Sequence, residues 1–328
     1  MTAIEPLTRE RLLWAQDLTG RIRDEIHKVL VGQDETVDQV LVALLAAGHI
    51  LLEGNPGLGK TLLVRALARA VRGGSARIQF TPDLMPSDVM GHAVYDPKTE
   101  SFRIRKGPVF TNLLLADEIN RAPAKTQSAL LEVMQEQQVT IEGRSFEVGR
   151  PFMVLATQNP LEQEGTYPLP EAQLDRFLLK VAMDFPQETE ERDLVRLVTG
   201  GSSGDLLQVD SVAQVATTDD VLDLQRATAQ VRVDDQVLAY AVRITRATRS
   251  WTGFSVGASP RGSIALVRAA RARAILAGRD FATPDDVKDL ALPALRHRVA
   301  PAPESELEGT TCDQLLNAML ERVEAPRA

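Results

Sequence analysis

The apolar run Ile50-Leu51-Leu52 leads into Gly54-Asn55-Pro56-Gly57-Leu58-Gly59-Lys60-Thr61, and Leu62, Leu63, Ala66, Leu67 and Ala70 follow at helical spacing. The glycine-rich octet fits G-x-x-x-x-G-K-S/T, and the strand before it and helix after it supply the context that pattern needs. Glycines let successive backbone N–H groups point inward, and the following helix turns its positive end to the same hollow. That combination suits phosphate. Lys60 is placed to reach the outer phosphates of a nucleotide and Thr61 to ligate Mg2+. A turn that merely happened to contain a lysine would require neither flanking element.

A second apolar strand, Leu113-Leu114-Leu115-Ala116, ends in Asp117-Glu118. A buried strand delivers its last residues to the carboxyl edge of the sheet, where ligands of open α/β folds bind. Asp117 is expected to hold Mg2+ there through water, with Glu118 as the base for an attacking water. The paired acids favour hydrolysis over nucleotide storage.

Further strands are expected at Ala76–Phe80, Phe152–Ala156 and Phe177–Phe185, with His49–Leu52 opening the series. Helical patterns separate them, which implies βαβ units and a parallel sheet. After Pro186 the pattern changes to helices at Glu188–Val198, Asp219–Ala229, Asp235–Arg249, Pro260–Ala277 and Pro284–His297, with no further strand. Thr283-Pro284-Asp285-Asp286 carries a capping hydroxyl, Pro at the first helical position and acids in the first turn. The 328 residues therefore divide into an N-terminal helix within 1–30 (Leu12, Leu13, Ala15, Leu18, Ile22 and Ile26 on its apolar face), an α/β domain over 31–186 and an all-α domain over 187–328.

These segments resemble the AAA+ ATPases, and their wording is most similar to the MoxR family. The match is carried by Gly54–Thr61, by residues 113–123, by Ala156-Thr157-Gln158-Asn159-Pro160, by residues 167–177 and by Ser259-Pro260-Arg261. It implies a P-loop NTPase (AAA+) parallel-sheet core, a C-terminal all-α lid domain, and ATP with Mg2+ as cofactors lodged between the two. It also implies roles for four further sites. Asn159 matches sensor 1, which positions the water; a turn-forming Asn before Pro160 is the plain alternative. Arg176 matches the arginine that reaches a neighbouring subunit's γ-phosphate, against a local ion pair with Asp175. Arg261 matches the sensor-2 arginine of the lid, against a solvated arginine at a helix start, where positive charge is mildly disfavoured. Val31-Gly32-Gln33 matches the segment lining the adenine pocket, and offers no basis for excluding guanine.

An arginine serving a neighbour requires an oligomer, and the resemblance implies a hexameric ring. It further implies chaperone-like remodelling, assembly or metal insertion on a client protein, with a von Willebrand A domain partner that this sequence does not contain. Two hairpins are expected, Ala93–Asp96 with Ser101–Ile104 and a second within Val139–Val148, and both resemble pore-facing hairpins of this AAA+ branch. Arg103, Arg105 and Lys106 on the first could suit a nucleic-acid motor, but Asp96 and Glu100 share it. The formal net charge of −8 opposes a nucleic-acid client, because phosphate neutralisation needs the other sign. A non-hydrolysing switch that scaffolds a partner is the other alternative.

Remaining signals are set aside. Gly200-Gly201-Ser202-Ser203-Gly204 formally fits G-x-S-x-G, but a nucleophile elbow needs a preceding strand and here a helix precedes it. The single cysteine, Cys312, fits a reducing compartment, and the C-terminal helix around Leu315, Leu316, Met319, Leu320 and Val323 is expected to pack on the lid. The four histidines show no metal-ligand spacing. Charges at Glu5, Arg9, Glu10 and Arg11 argue against a secretory leader, and the longest apolar run, Val40 to Leu52, is short of the ~18 residues a spanning helix needs. A cytoplasmic protein is expected.

Overall fold

The computed structural model describes residues 6–158, 166–200 and 209–326. Its centre is a sheet of strands β1 (Ile50–Gly54), β2 (Ser75–Gln79), β5 (Leu113–Asp117), β8 (Met153–Gln158) and β9 (Leu179–Met183). They pair in parallel in the order β2-β5-β8-β1-β9. Both faces of the inner strands are buried, so β1, β5 and β8 read as near-continuous apolar runs, while the edge strand β2 is largely exposed. Ile50, Leu52, Leu113, Leu115, Met153 and Leu155 point to one face. The alternate residues Leu51, Leu114, Ala116, Val154 and Ala156 point to the other.

The first face is covered by α2 (Asp34–Leu45) and α3 (Lys60–Ala70), with α1 (Arg9–His27) packed on both. Thr8 caps α1 through its side chain, and Leu12, Ala15, Leu18, Ile22 and Ile26 are buried. Leu13 instead faces solvent, since its position falls just off the stripe. The second face is covered by α4 (Pro86–Met90), α5 (Ala124–Glu136) and two antiparallel hairpins, β3 (Gly91–Asp96) with β4 (Ser101–Lys106), and β6 (Gln138–Ile141) with β7 (Arg144–Glu147). α6 (Glu171–Leu174) leads into β9, and α7 (Glu188–Thr199) follows it.

The C-terminal region comprises α8 (Thr218–Gln230), α9 (Asp235–Ala247), α10 (Pro260–Leu276), α11 (Pro284–Asp289), α12 (Ala291–Leu295), α13 (Pro303–Leu307) and α14 (Cys312–Leu320). Helix α10 is buried against α9, α2 and α1. Its apolar residues continue the core of the first sheet face, so α1 and the C-terminal helices share one core with the α/β part.

Three details depart from the sequence expectations. The C-terminal region contains one antiparallel pair, β10 (Phe254–Val256) with β11 (Ala300–Pro301), too short for a period-two pattern to register. The helix expected over 284–297 breaks at Leu290 and restarts at Ala291. Pro293 is then the third residue of the new helix, where its missing N–H costs no intrahelical bond. The strand expected to reach Phe185 ends at Met183, because its partner β1 ends at Gly54 and gives way to the loop. Phe185 is exposed. Of the G-x-S-x-G stretch, residues 201–204 lie outside the described residues, and α7 precedes it as expected.

Candidate functional site

The sheet order brings the carboxyl ends of β1, β8 and β5 side by side. Gly54 closes β1, and a Cβ there would meet the Met183 carbonyl oxygen at 2.7 Å, so the loop leaves tightly packed against β9. Gly57 and Gly59 take φ of +87° and +83°, conformations that glycine adopts at little cost. Lys60 then starts α3, whose first-turn N–H groups have no partner within the helix.

Gly54, Pro56, Gly57, Gly59, Lys60 and Thr61 line a cleft of about 440 Å³. Asn55 and Leu58 do not line it, and Leu58 turns into the core. The opposite wall holds Asp117, Glu118 and Thr157, with Arg65, Arg77 and Gln79 at the side. Lys60 Nζ donates to the Gly54 carbonyl, folding back over the loop. Burial pulls the Lys60 ammonium below its usual pKa, and the nearby Asp117, Glu118 and Glu53 carboxylates partly oppose this.

Asp117 and Glu118 are linked through Thr157 on β8. The Thr157 hydroxyl donates to Asp117 Oδ1 at 2.6 Å and accepts from the Glu118 N–H at 2.9 Å. Arg77 Nη2 donates to Asp117 Oδ2 at 2.6 Å. Glu118 sits in the left-handed region at φ 56°, unusual for a residue with a side chain. Its Oε2 accepts from Gln79 Nε2 at 2.7 Å and pairs with Arg121 Nε at 3.1 Å. The hydroxyl of Thr61 and the carboxylate of Asp117 in one cleft are hard oxygen donors of the kind Mg2+ takes alongside phosphate and water. Among the described residues no cluster of three or more His, Cys, Asp or Glu side chains could hold a metal ion by itself.

Arg77, Gln79 and Thr157 were missed as site residues by sequence reasoning. A signal existed: parallel pairing places Gln79 beside Asp117, and the alternation of β2 puts Arg77 on the same side.

Asn159 lies outside the described residues, one position beyond the end of β8. Val31 and Gly32 line a separate open hollow with Arg23 and His27. Gln33 is buried, donating to the Asp184 carbonyl at 2.8 Å and accepting from Thr36 Oγ1 at 3.0 Å. The segment nevertheless abuts the phosphate loop, since a Cβ on Gly59 would lie 2.8 Å from Leu30 Cδ1.

Arg176 and Arg261 do not line the phosphate cleft. They share a second cleft, of about 390 Å³, with Arg268 and Arg298. Among the described residues, no part of the C-terminal region lines the phosphate cleft, whereas Glu190 of α7 lines the hollow at Val31 and Gly32. The local Asp175–Arg176 pair is also absent from the geometry. Asp175 is taken by Arg298 and Ser259, while Arg176 Nη1 donates to the Leu131 carbonyl at 3.2 Å and to Gln135.

On the first hairpin, Arg103 Nε pairs with Asp96 at 3.0 Å and the Lys106 ammonium lies 4.7 Å from the centre of the Phe110 ring. Tyr95 and Phe102 meet edge to face and are exposed. No helix among the described residues is long and apolar enough to cross a membrane.

Residues 49–179 match the ATPase family associated with various cellular activities (AAA), and residues 246–318 match the AAA lid domain. The chain is 46% identical over 309 residues to the uncharacterized protein YeaC of Bacillus subtilis, covering 94% of this chain and 95% of that one. It is 44% identical over 314 residues to the chaperone MoxR1 of Mycobacterium tuberculosis, covering 92% and 81%, and 33% identical over 340 residues to the protein MoxR of Methylorubrum extorquens, covering 95% and 96%. A crystal structure from Cytophaga hutchinsonii, of a protein assigned as an ATPase, superposes with a TM-score of 0.89 at 39% identity, covering 97% of this chain and 98% of that one.

Proposed function

Because the chain belongs to the MoxR family of AAA+ ATPases, we propose that it hydrolyses MgATP and spends the energy on remodelling, assembly or metal insertion in a client protein. The observation that carries the reading is the single cleft in which Lys60 and Thr61 face Asp117 and Glu118. The loop from Gly54 to Thr61 binds the phosphates, Lys60 leaving the Gly54 carbonyl for the nucleotide. Thr61 and Asp117 hold Mg2+, which offsets charge on the β- and γ-phosphates when bound. Glu118 orients the attacking water and accepts its proton, and Asn159 assists. Val31, Gly32 and Gln33 border the base.

Arg176 and Arg261 act on a neighbour. Their position in a cleft apart from the chain's own phosphate loop suits a ring in which each subunit offers both arginines to the next. Such an arginine adds ~10³–10⁵ in rate by stabilising transition-state charge. In this scheme the chain divides into the N-terminal helix (1–30), the nucleotide-binding domain (31–186) and the lid (187–328), and works as a cytoplasmic hexamer.

A protein client is supported by the chaperone name of one relative and by the hairpin chemistry, and a von Willebrand A domain co-worker is what the family resemblance alone implies. The aromatic pair Tyr95–Phe102 is exposed, whereas Arg103 and Lys106 already have internal partners. Phosphate release from ATP with and without Mg2+, in wild type and Lys60→Ala, tests the reading. Turnover that needs both Mg2+ and Lys60 supports it. Turnover indifferent to Lys60 refutes it, and strong stimulation by DNA would replace the protein client with a nucleic-acid one.

A further inference from the structure

We propose that Asp175, Ser259 and Arg298 form a latch that sets Arg176 and Arg261 as one unit facing the neighbouring subunit. The proposal rests on the reading that those two arginines serve the neighbour's nucleotide. Its basis is a continuous chain of contacts. Ser259 Oγ donates to Asp175 Oδ2 at 2.8 Å and accepts from the Arg261 N–H at 3.1 Å. One hydroxyl thus ties the residue before Arg176 to the backbone of Arg261. Ser259 is also the N-cap of α10, so this contact fixes where that helix begins.

Arg298 completes the arrangement from beneath. Its side chain is 3% exposed, and Nε donates to Asp175 Oδ1 at 2.8 Å. Nη2 donates to the Asp175 and Phe177 carbonyls at 3.3 and 2.6 Å, and Nη1 to the Leu178 carbonyl at 3.2 Å and to the Ala294 carbonyl. The guanidinium therefore grips backbone on both sides of Arg176. A planar fork of fixed donors suits this task, and lysine could not reproduce it.

A purely architectural role is a weaker account of the same atoms. A buried ion pair adds little stability over well-packed apolar side chains, yet fixes relative geometry closely. Here it fixes geometry at the point where a core loop and a lid helix each carry an arginine into one cleft. Arg176 itself is lightly held: its Nε is buried without a hydrogen-bond partner, and its bonds run to one carbonyl and one amide. Asp175, Ser259 and Arg298 are positioning residues, and the arginines they hold do the electrostatic work.

Mixed rings test this. Arg176→Ala subunits keep their own nucleotide site but offer the neighbour Arg261 alone, and Lys60→Ala subunits offer both arginines but hydrolyse nothing. Mixing the two inactive proteins is expected to restore ATP turnover. Adding Asp175→Asn to the Lys60→Ala subunits is then expected to cut the restored rate on the order of 10²-fold, the scale of an ångström-sized misplacement. Ser259→Ala, which spares the ion pair, is expected to act in the same direction, and Ser259→Thr to rescue it. In an otherwise wild-type chain, Asp175→Asn is expected to lower kcat with KM for ATP unchanged. If Asp175→Asn subunits do not fold, the Ser259→Ala and Ser259→Thr pair decides.

Failure of the parent mixture to regain activity would overturn both the shared-site reading and the latch. Full restoration by folded Asp175→Asn or Ser259→Ala donors would overturn the latch alone. Lower thermal stability with an unaltered restored rate would likewise assign these residues to architecture and reject the proposal.

Discussion

Arg77 on the edge strand donates two hydrogen bonds to Asp117 Oδ2, from Nη2 at 2.6 Å and from Nε at 3.2 Å. A guanidinium therefore occupies the carboxylate through which Mg2+ is expected to be held. Arg77 and a bound Mg2+ would then draw on the same carboxylate. Arg77 is half exposed, so its pairing is worth only ~0.2–1 kcal/mol. Arg77→Ala is expected to lower the Mg2+ concentration for half-maximal ATP turnover by roughly 1.4- to fivefold, the equivalent of that energy. Magnesium titrations of wild type and variant check it, and an unchanged midpoint would show that Arg77 withdraws without cost.

Thr157 connects the two acids, and its loss is expected to separate their functions. Thr157→Val keeps the shape but removes the hydroxyl that supports Asp117 and the Glu118 N–H. Glu118 would lose the partner that helps hold it in a left-handed conformation. We expect kcat to fall on the order of 10²-fold, as for a displaced catalytic group, with KM for ATP little changed. Steady-state kinetics on the folded variant decide between this and a change confined to KM.

Two buried histidines predict acid sensitivity. His49 Nδ1 accepts from the Val154 N–H at 3.0 Å and Nε2 lies 3.1 Å from the Met134 carbonyl, which fits the neutral Nε2–H ring. Burial pushes its pKa down to about 4, with nearby Arg268 adding to the effect and the Met134 carbonyl opposing it. Burial likewise holds His297 well below the ordinary value, with adjacent Arg298 contributing. In the unfolded chain both take up a proton near 6.5. Their contribution is thus fully present above about 6.5 and is lost as pH falls toward the folded pKa, by up to ~1.4 kcal/mol per pH unit per histidine. Denaturant midpoints should be level from pH 8 to 7 and fall between 6 and 5, less steeply in His49→Gln. A flat profile down to pH 5 would contradict the neutral assignment.

Much of this was legible in the sequence where function and local structure coincide. The phosphate loop combines glycine, strand and helix in one continuous stretch, and the strand ending in Asp117-Glu118 carries its own polarity cue. What was not legible depends on non-local pairing. That Arg77 and Gln79 meet the two acids follows from the β2–β5 register. That Asp175 belongs to Arg298 and Ser259 rather than to its neighbour Arg176 follows from how the C-terminal helices dock. That docking also places Arg261 in one cleft with Arg176, an outcome no local pattern around Ser259-Pro260-Arg261 encodes.

The central claim is that Glu118 turns a nucleotide-binding cleft into a hydrolytic one. Glu118→Gln keeps the shape and most of the hydrogen bonding while removing the base. Binding of ATP and its single-turnover hydrolysis, measured on the same Glu118→Gln sample, test that claim most directly. The account predicts that ATP binds with near wild-type affinity while the hydrolytic step slows by ~10²–10⁴. Equal hydrolysis rates in wild type and Glu118→Gln would contradict it.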